Sequence, residues 1–376
     1  MNVSDAKELI LSEQRVFLTG KAGTGKSTLL KDIVETIWKK DCLITSTTGI
    51  SAVNIGWCTL HSVFQMFGDY TVNRKPKALL NIDWKSIKMI VIDEVSMLSP
   101  AYLDYIDELL QLNLNNKSPF GWMKMLLIWD LAQLLPIISS EEEMARHKHI
   151  YWWVTVDKAR TFLHFKTIEL THVFRQSWKL LEIINEVRHG NISNVRLLNS
   201  WYGNEKSTHI MPFNSMADKK NSTELAKLKT TSHTFTAKIT WEFKTENVIT
   251  PVILELKVWA RVIITKNTKP LVNWDQWTVM KIEWNTVTVF IDRLNKQINI
   301  SHETWEQKTR VSRNERVKWT FTQIPLKLAY AITIHKSQGM SIENLVIHWT
   351  ERMDIRLLYV ALSRATNEET LFIHKC

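Results

Sequence analysis

The segment GKAGTGKS, residues 20–27, constrains the fold of this chain more than any other stretch. It matches the pattern G-x-x-x-x-G-K-[ST], follows the apolar run VFLT at 16–19 and opens a helix predicted over about 27–39. Glycines in such a loop let backbone N–H groups surround phosphates, and the helix dipole adds a favourable field. We therefore predict a phosphate-binding loop, with Lys26 at the β- and γ-phosphates and Ser27 on Mg²⁺.

Apolar runs alternate with helical patterns through the rest of the N-terminal half. LITS at 43–46, KMIVID at 88–93 and MKMLLI at 123–128 are predicted strands, and Ser99-Pro100 opens a helix through about Leu112. This alternation predicts an α/β fold with a parallel sheet and ligands at the carboxyl ends of its strands.

Two carboxylates stand at one of these strand ends, in VIDEVSM at 91–97. There Asp93 can hold Mg²⁺ through water, and Glu94 can orient or deprotonate an attacking water. An exposed acidic turn is the plainer interpretation of the pair. The phosphate-binding loop upstream favours the catalytic one.

The pattern changes after about residue 230. Short alternating runs at 260–265, 278–282, 286–291 and 297–300 predict a small antiparallel β unit. Helix–strand alternation returns from about 321, so a β insertion within a second α/β domain is the simplest account. Residues 201–240, rich in Lys, Thr, Ser and Asn, are predicted to be loop-rich.

Net charge and cysteine content indicate which partners and which cellular compartment suit this chain. A net charge of +10 favours a polyanionic partner, nucleic acid before a membrane surface, although charge alone leaves a soluble basic enzyme equally open. Three cysteines without a C-x-x-C pair argue against a disulfide framework or a zinc site. With no signal peptide and no apolar run of the ~18–20 residues that span a membrane, we expect a reducing, cytoplasmic setting.

Several further segments of the sequence resemble the motifs of a known protein family. With the two motifs above, they resemble the motifs of the Pif/RecD-like branch of superfamily 1 DNA helicases, in that family's order and over nearly the whole chain. These segments are TSTTGISAVNIGWCTLHS (45–62), WDLAQLLPI (129–137), LTHVFRQ (170–176), AITIHKSQGMS (331–341) and YVALSRA (359–365), with SPFGW (118–122) resembling part of the Pif signature. Taken alone, each polar residue in them has a plainer interpretation as surface or loop.

The resemblance implies two RecA-like P-loop domains with ATP between them and a small antiparallel β-barrel inserted in the second. The first domain would span 1–165, the second 166–225 and 320–376, and the insertion 226–319. It implies ATP hydrolysis stimulated by single-stranded DNA, translocation 5′ to 3′ and duplex unwinding in replication, repair or recombination. The implied partners are single-stranded DNA and duplex junctions, with no membrane, and the chain is expected to be monomeric or weakly associating.

The resemblance also assigns residues, with ATP and Mg²⁺ as cofactors. Gln133 would sense the γ-phosphate, and Arg175 and Arg364 would be arginine fingers that stabilise charge when the domains close. The implied nucleotide-binding set is Gly20, Gly23, Thr24, Gly25, Lys26, Ser27, Thr28, Gln338 and Gly339. The implied DNA-binding set is Thr47, Thr59, His61, Ser62, Phe120, His335, Lys336 and Ser337.

Tryptophan is abundant where glycine is scarce, with 17 Trp and 10 Gly. The usual glycine content of about 7% would give roughly 26 in a chain of this length. Tryptophan stands where the family pattern has glycine at Trp57, Trp122, Trp129, Trp259, Trp274 and Trp277. A two-residue hairpin loop at Trp284-Asn285 would also need a left-handed backbone, which favours glycine.

Three interpretations of these tryptophans compete. A base-stacking platform needs them on one DNA-facing surface, and a buried core needs apolar periodicity. Neither fits their scatter at turns, so our hypothesis is that most of them mark glycines, misassigned by translating a codon under the wrong genetic code. If they are genuine, a catalytically impaired nucleic-acid-binding protein is the alternative function, beside an ATPase that translocates without unwinding.

Overall fold

A computed structural model of the chain describes residues 1–21, 23–37, 41–47, 58–66, 75–79, 82–130, 132–136, 138, 140–172, 178–197, 203, 207–240, 250–266, 276–291, 295–311, 314–338, 340–350 and 353–375. Contacts divide it into two compact units. The first holds 1–199, 338–343 and 351–371, and the second holds 200–337, 344–350 and 372–376. Within the described ranges, no helix combines the length and apolar character needed to cross a membrane.

A six-stranded parallel sheet forms the centre of the first unit, in the order β3-β2-β4-β5-β1-β6. Its strands are β1 Arg15–Gly20, β2 Cys42–Ser46, β3 Cys58–Thr59, β4 Met89–Asp93, β5 Lys124–Trp129 and β6 Lys166–Leu170. The helices of this unit are α1 Val3–Ser12, α2 Lys26–Ile37, α3 Leu60–Val63, α4 Pro100–Leu114, α5 Glu141–Tyr151, α6 Trp178–Arg188 and α9 Ile355–Leu362. The predicted parallel α/β arrangement is confirmed.

Apolar side chains on both faces explain why this sheet is parallel and central. One face packs on α1 and α2 through residues such as Ala6, Leu30 and Leu126. The other packs on α4 through residues such as Leu103 and Ile106. The registers Thr19↔Trp129, Gly20↔Leu170 and Ser46↔Asp93 bring the carboxyl ends of five strands to one edge of the sheet. The chemistry-bearing residues follow at this edge.

The second unit contains a four-stranded sheet in the order β18-β7-β19-β20 and three antiparallel sheets. The antiparallel sheets have the orders β14-β13-β12-β11-β17, β15-β16-β9 and β10-β8. The strands are β7 Thr208–Met211, β8 Ser232–Thr236, β9 Lys238–Thr240, β10 Ile253–Lys257, β11 Arg261–Ile264, β12 Gln276–Glu283, β13 Thr286–Ile291, β14 Lys296–Ser301, β15 Glu303–Val311, β16 Asn314–Gln323, β17 Leu326–Leu328, β18 Ala331–Thr333, β19 Leu345–Trp349 and β20 Leu371–Lys375. Its helices are α7 Asn214–Lys227 and α8 Ile334–Ser337.

The antiparallel strands predicted after residue 230 are therefore present. Inward-facing Val287, Val289 and Ile291 alternate with more exposed neighbours, as a strand buried on one face requires. The described strands do not close into a barrel, since they group into three separate sheets.

The prediction that residues 201–240 are loop-rich is wrong. This stretch contains β7, α7, β8 and β9. Helix α7 is polar on most of its surface and buries only Ala217, Asn221 and Leu225, at spacings of four residues. The Asn221 amide donates to and accepts from the backbone of Ala331, at 2.9 Å in each direction. A helix held by a buried asparagine has a weak apolar pattern, so sequence periodicity missed it.

The tryptophans fall into distinct structural classes. Trp122, Trp152 and Trp259 adopt left-handed φ values of 67°, 67° and 74°, which favour glycine. Trp129 and Trp277 are instead buried in the core, and their Nε1 atoms have no hydrogen-bond partner. Trp57 and Trp274 lie outside the described residues.

Two tryptophans depart from the glycine interpretation. Trp284 and Asn285 form the two-residue loop between β12 and β13, since Glu283 pairs with Thr286. Neither has a left-handed φ, so that part of the prediction is wrong. Trp84 is a core residue whose Nε1 donates to the Leu79 carbonyl at 3.2 Å and whose ring stacks on Phe64.

We predict that Trp152→Gly stabilises the protein. The substitution removes about 1–2 kcal/mol of left-handed strain, and the freer unfolded chain takes back roughly 0.4–1 kcal/mol. The Trp152 side chain is 86% exposed, so little packing is lost. Urea unfolding should show a higher midpoint, whereas the control Trp84→Ala should lower it. An unchanged or lower midpoint for Trp152→Gly would contradict strain at this position.

We also predict that acid weakens the second unit through two buried histidines. Nδ1 of His209 lies 2.9 Å from Nε2 of His348, and burial lowers the pKa of His209 to about 3 and that of His348 to about 4. In the unfolded chain both titrate near pH 6.5. The unfolded state therefore binds more protons below that pH, so their contribution to stability is complete above about pH 6.5 and falls as the pH drops toward 4.

Urea unfolding at pH 7.5 and pH 5 measures this effect. The loss of stability between the two should be smaller in His348→Gln than in the unchanged chain. Equal losses in both proteins would show that these histidines do not cause it.

Candidate nucleotide-binding site

The loop of residues 20–27 has the geometry that its sequence predicts. Gly23 and Gly25 adopt φ values of 80° and 85°, which a residue with a side chain rarely takes. Helix α2 begins at Lys26, so Ser27 and Thr28 lie in its first turn, where backbone N–H groups are open to an anion. The hydroxyl of Thr24 donates to the Lys21 carbonyl at 2.9 Å and braces the loop.

The side chain of Lys26 folds back on this loop. Its Nζ donates to the Gly20 and Lys21 carbonyls at 2.6 and 2.9 Å. Burial lowers the pKa of Lys26, and the nearby carboxylates of Asp130, Glu94 and Asp93 oppose that shift. A triphosphate would supply further negative charge to this buried ammonium group.

The carboxylates of Asp93 and Glu94 follow β4 at the same edge of the sheet. Burial raises the pKa of Asp93, and the neighbouring charge of Glu94 raises it further. The Glu94 N–H donates to Asp93 Oδ1 at 2.9 Å. Glu94 itself is left-handed, with φ 55° and ψ 42°. Strain of this kind in a non-glycine residue persists only where the surroundings hold it, and it is concentrated at functional sites.

Thr47 supplies part of that support. Its hydroxyl donates to the Glu94 carbonyl at 2.5 Å, and its N–H donates to the Asp93 carbonyl at 3.4 Å. The loop after β2 thus holds the backbone on which both carboxylates stand.

The amide of Gln338 donates to the Glu94 carboxylate and to the side-chain oxygen of Gln133. Nε2 of Gln338 lies 3.2 Å from Glu94 Oε2, 2.9 Å from Gln133 Oε1 and 3.3 Å from Ser96 Oγ. Both glutamines are buried. The structure therefore brings together two residues that the sequence separates by about two hundred positions.

Sequence reasoning did not assign Asp130, Arg188 and Tyr359. Asp130 is fully buried directly after β5, it accepts a hydrogen bond from the Tyr359 hydroxyl, and its Oδ1 lies 3.5 Å from Arg188 Nη2. Asp130 and Tyr359 lie within segments already recognised as motifs, so these segments were the available signal. Arg188 ends α6 outside any motif, and no local signal marked it.

Arg364 follows α9 and is nearly buried. Its Nε donates to the Val360 carbonyl at 3.0 Å, and its Nη2 lies 2.7 Å from Ser363 Oγ. Arg175 and Gly339 lie outside the described residues.

The predicted DNA-binding residues differ in accessibility. Phe120 is fully buried against Phe165, and its N–H donates to Asp107 Oδ1. Ser337 is fully buried and donates to the Ile334 carbonyl at 2.7 Å. Neither side chain is available to DNA, so including these two in the DNA-binding set was wrong.

The remaining DNA-binding candidates stay predictions. His61 packs edge-on against Tyr102, and burial lowers its pKa. Burial also lowers the pKa of His335 and that of Lys336, whose Nζ donates to Asn214 Oδ1 at 3.0 Å. The side chains of Thr59 and Ser62 lie outside the described part of the chain.

The donors near the loop fit Mg²⁺ rather than a tightly caged metal. The Ser27 hydroxyl and the Asp93 carboxylate are hard oxygen ligands, and Mg²⁺ is commonly held by one or two carboxylates plus substrate phosphates. Burial and, after it, the neighbouring charge of Glu94 raise the pKa of Asp93, and a bound cation would favour the ionised carboxylate. Among the described residues, no cluster of three or more His, Cys, Asp or Glu side chains could hold a metal.

We predict that Thr47→Val slows ATP hydrolysis. Loss of its hydrogen bond to the Glu94 carbonyl, at about 0.5–1.5 kcal/mol, should lower kcat by about two- to twelvefold. Thr45→Val is the matched control, because that hydroxyl also donates to a strand carbonyl, that of Val91, at 3.0 Å. Steady-state kinetics with single-stranded DNA measure both variants. An unchanged kcat in Thr47→Val would contradict the supporting role.

Comparisons with known proteins agree with this geometry. The family model of the PIF1-like helicase matches residues 6–198, and that of the UvrD-like helicase C-terminal domain matches 328–371. The chain is 30% identical over 386 residues to the ATP-dependent DNA helicase PIF1 of Xenopus laevis, covering 96% of this chain and 59% of the frog protein. The crystal structure of Bacteroides Pif1 bound to ssDNA is similar at a TM-score of 0.82 with 30% identity, covering 99% of this chain and 91% of that one.

A second crystal structure, of Bacteroides Pif1 with ADP-AlF3 and ssDNA, is similar at a TM-score of 0.80 and 30% identity, with the same coverage of 99% and 91%. The two family matches fall on the segments that form the phosphate-binding loop, the paired carboxylates and the Gln338 region. The chain therefore belongs to the PIF1-like helicase family, a family of ATP-dependent DNA helicases.

Proposed function

We propose that this chain hydrolyses ATP at the loop of residues 20–27 and uses the energy to move 5′ to 3′ along single-stranded DNA and unwind duplex. The observation that carries the proposal is the meeting of Lys26, Glu94, Gln133 and Gln338 at one edge of the parallel sheet. Relatives named as ATP-dependent DNA helicases support the activity, and the Bacteroides complexes support nucleotide and DNA as ligands.

Each residue of the proposed site has a separate role in ATP hydrolysis. Lys26 and the N–H groups at the start of α2 bind the phosphates, together with Gly20, Gly23, Thr24, Gly25, Ser27, Thr28, Gln338 and Gly339. Glu94 orients the attacking water and accepts its proton, while Gln133 contacts the γ-phosphate. Ser27 and Asp93 would hold Mg²⁺, which would supply charge neutralisation for the phosphates. Arg175 and Arg364 act as arginine fingers that stabilise the transition state.

The DNA-contacting set that remains is Thr47, Thr59, His61, Ser62, His335 and Lys336. Contacts from such residues to sugar and phosphate are independent of sequence and sensitive to salt. Thr47 belongs to the proposed DNA-contacting set and also supports the proposed general base, since its hydroxyl donates to the carbonyl of Glu94. Movement would follow closure and reopening around ATP.

The finer architecture belongs to the same proposal. It has two RecA-like domains, 1–165 and 166–225 with 320–376, and a small antiparallel β insertion at 226–319. We propose a cytoplasmic protein, monomeric or weakly associating, that acts on single strands and duplex junctions in replication, repair or recombination.

A second candidate function rests on the three left-handed tryptophans. If Trp122, Trp152 and Trp259 are genuine, their strain favours an impaired protein that binds nucleic acid without turnover. The codons decide this directly: tryptophan encoded by UGG would remove the misassignment hypothesis.

We predict that the chain displaces strands from a 5′-tailed duplex in the presence of ATP and Mg²⁺. A duplex with the same tail at its 3′ end should remain intact, because translocation runs in one direction. Lys26→Ala should abolish both ATP hydrolysis and displacement while retaining DNA binding, since the loss removes the phosphate contact. ATP hydrolysis without displacement on either substrate would indicate a translocase. DNA binding without turnover would indicate the impaired protein.

A further inference from the structure

The buried carboxylate of Asp130 is held by groups from three parts of the first unit. Its Oδ1 accepts from the Ala132 N–H at 3.2 Å and lies 3.5 Å from Arg188 Nη2. Its Oδ2 accepts from the Tyr359 hydroxyl. A carboxylate removed from water is tolerated only when it is paired and hydrogen-bonded in this way.

Asp130 fixes the turn that carries Gln133. The Gln133 N–H donates to the Asp130 carbonyl at 2.9 Å, which closes the turn directly after β5. Gln133 Oε1 then accepts from Gln338 Nε2 at 2.9 Å, and Nε2 of Gln338 also reaches Glu94 Oε2 at 3.2 Å. The backbone of Gln133 is therefore fixed by the Asp130 turn, and its side chain is linked through Gln338 to the carboxylate proposed as general base.

Helices α6 and α9 place Arg188 and Tyr359 beside the carboxylate of Asp130. Helix α6 ends at Arg188 because Gly190 adopts a left-handed φ of 93°, as glycine does just past a helix. Tyr359 lies on the buried stripe of α9, and α9 packs against α6. Both residues also line a cavity of about 750 Å³ with Ala132 and Arg356.

We propose that Arg188 and Tyr359 are positioning residues for ATP hydrolysis, which act by holding Asp130 and thereby the turn that presents Gln133. This inference rests on the proposed roles of Gln133 and Glu94. Neither residue needs to touch the nucleotide. Loss of either contact leaves the phosphate-binding loop intact and misplaces the amide at the reacting centre.

The electrostatics of Lys26 are consistent with this position. Asp130 is the foremost carboxylate that opposes the lowering of the Lys26 pKa, and Arg188 acts in the opposite direction. The Asp130–Arg188 pair therefore lies within electrostatic range of the ammonium group that meets the phosphates. Arg188, at 13% exposure, is screened little by solvent.

Tyr359→Phe, Arg188→Gln and Arg188→Lys test the proposal in the full chain. Hydrogen bonds to charged groups are among the stronger ones, so Tyr359→Phe and Arg188→Gln should each lower kcat for DNA-stimulated hydrolysis by about tenfold. The KM for ATP and the affinity for a fluorescent ADP analogue should remain unchanged, and Arg188→Lys should recover part of kcat. Arg356→Gln is the matched control, since it removes a cation from the same cavity and should leave kcat unchanged.

Thermal unfolding of each variant separates this role from a purely structural one. A lowered midpoint with an unchanged kcat in Tyr359→Phe would overturn the proposal while the proposed ATPase function stands. If Arg356→Gln lowers kcat as much as Arg188→Gln does, the proposal is also overturned, because loss of any positive charge from the cavity would then explain the effect. Absence of hydrolysis in the unchanged chain would overturn the ATPase function and this role with it.

Discussion

Buried charge at the carboxyl edge of the parallel sheet is the constraint on which the first unit depends. Asp93 ends β4, Glu94 and Asp130 directly follow strands, and Lys26 begins α2 after the loop that follows β1. Asp130 is fully buried and the other three are partly buried. The ammonium group of Lys26 offsets part of the negative charge of the three carboxylates, and Arg188 forms an ion pair with Asp130. The parallel topology causes this concentration, since it brings every strand end that carries a polar residue to one side.

The arrangement also explains why the backbone is strained where it is. Glu94 stands in a left-handed conformation directly after β4, where a side chain is costly. Thr47 and Asp93 satisfy the backbone on either side of it. The left-handed turn sends the Glu94 carboxylate toward Gln338 rather than leaving it on the axis of the strand.

The sequence predicted site residues best where they lie in the same short segment as a clear strand or helix pattern. The loop of residues 20–27 and the pair Asp93–Glu94 were identified because glycine spacing, an apolar strand and a helix start coincide there. Prediction was weaker where contacts join distant segments. Arg188 carries no motif, and its ion pair with Asp130 spans 58 positions, from 130 to 188. No local pattern encodes such a contact.

Burial accounts for the other errors. Phe120 lies in a segment that resembles a family signature, yet its side chain belongs to the hydrophobic cluster beneath α4. Helix α7 was missed because its buried face contains an asparagine that bonds to backbone. In both cases the sequence shows residue type, and only the fold shows which side of the element is covered.

The tryptophans of this chain form two groups that differ in backbone conformation and in burial. Trp122, Trp152 and Trp259 share a backbone that suits glycine; the Trp152 side chain is largely exposed, while Arg15 lies 5.5 Å from the ring centre of Trp122. Trp129 and Trp277 have the opposite character: unstrained, enclosed by core, and each with an unpaired Nε1 that costs about 1–3 kcal/mol. Glycine would remove the strain in the first group, whereas in the second it would remove the unpaired donor together with a large packed side chain, whose loss costs about 3–5 kcal/mol. The left-handed backbone of Trp122, Trp152 and Trp259 is therefore the structural feature that favours glycine, and it does not extend to the two core tryptophans.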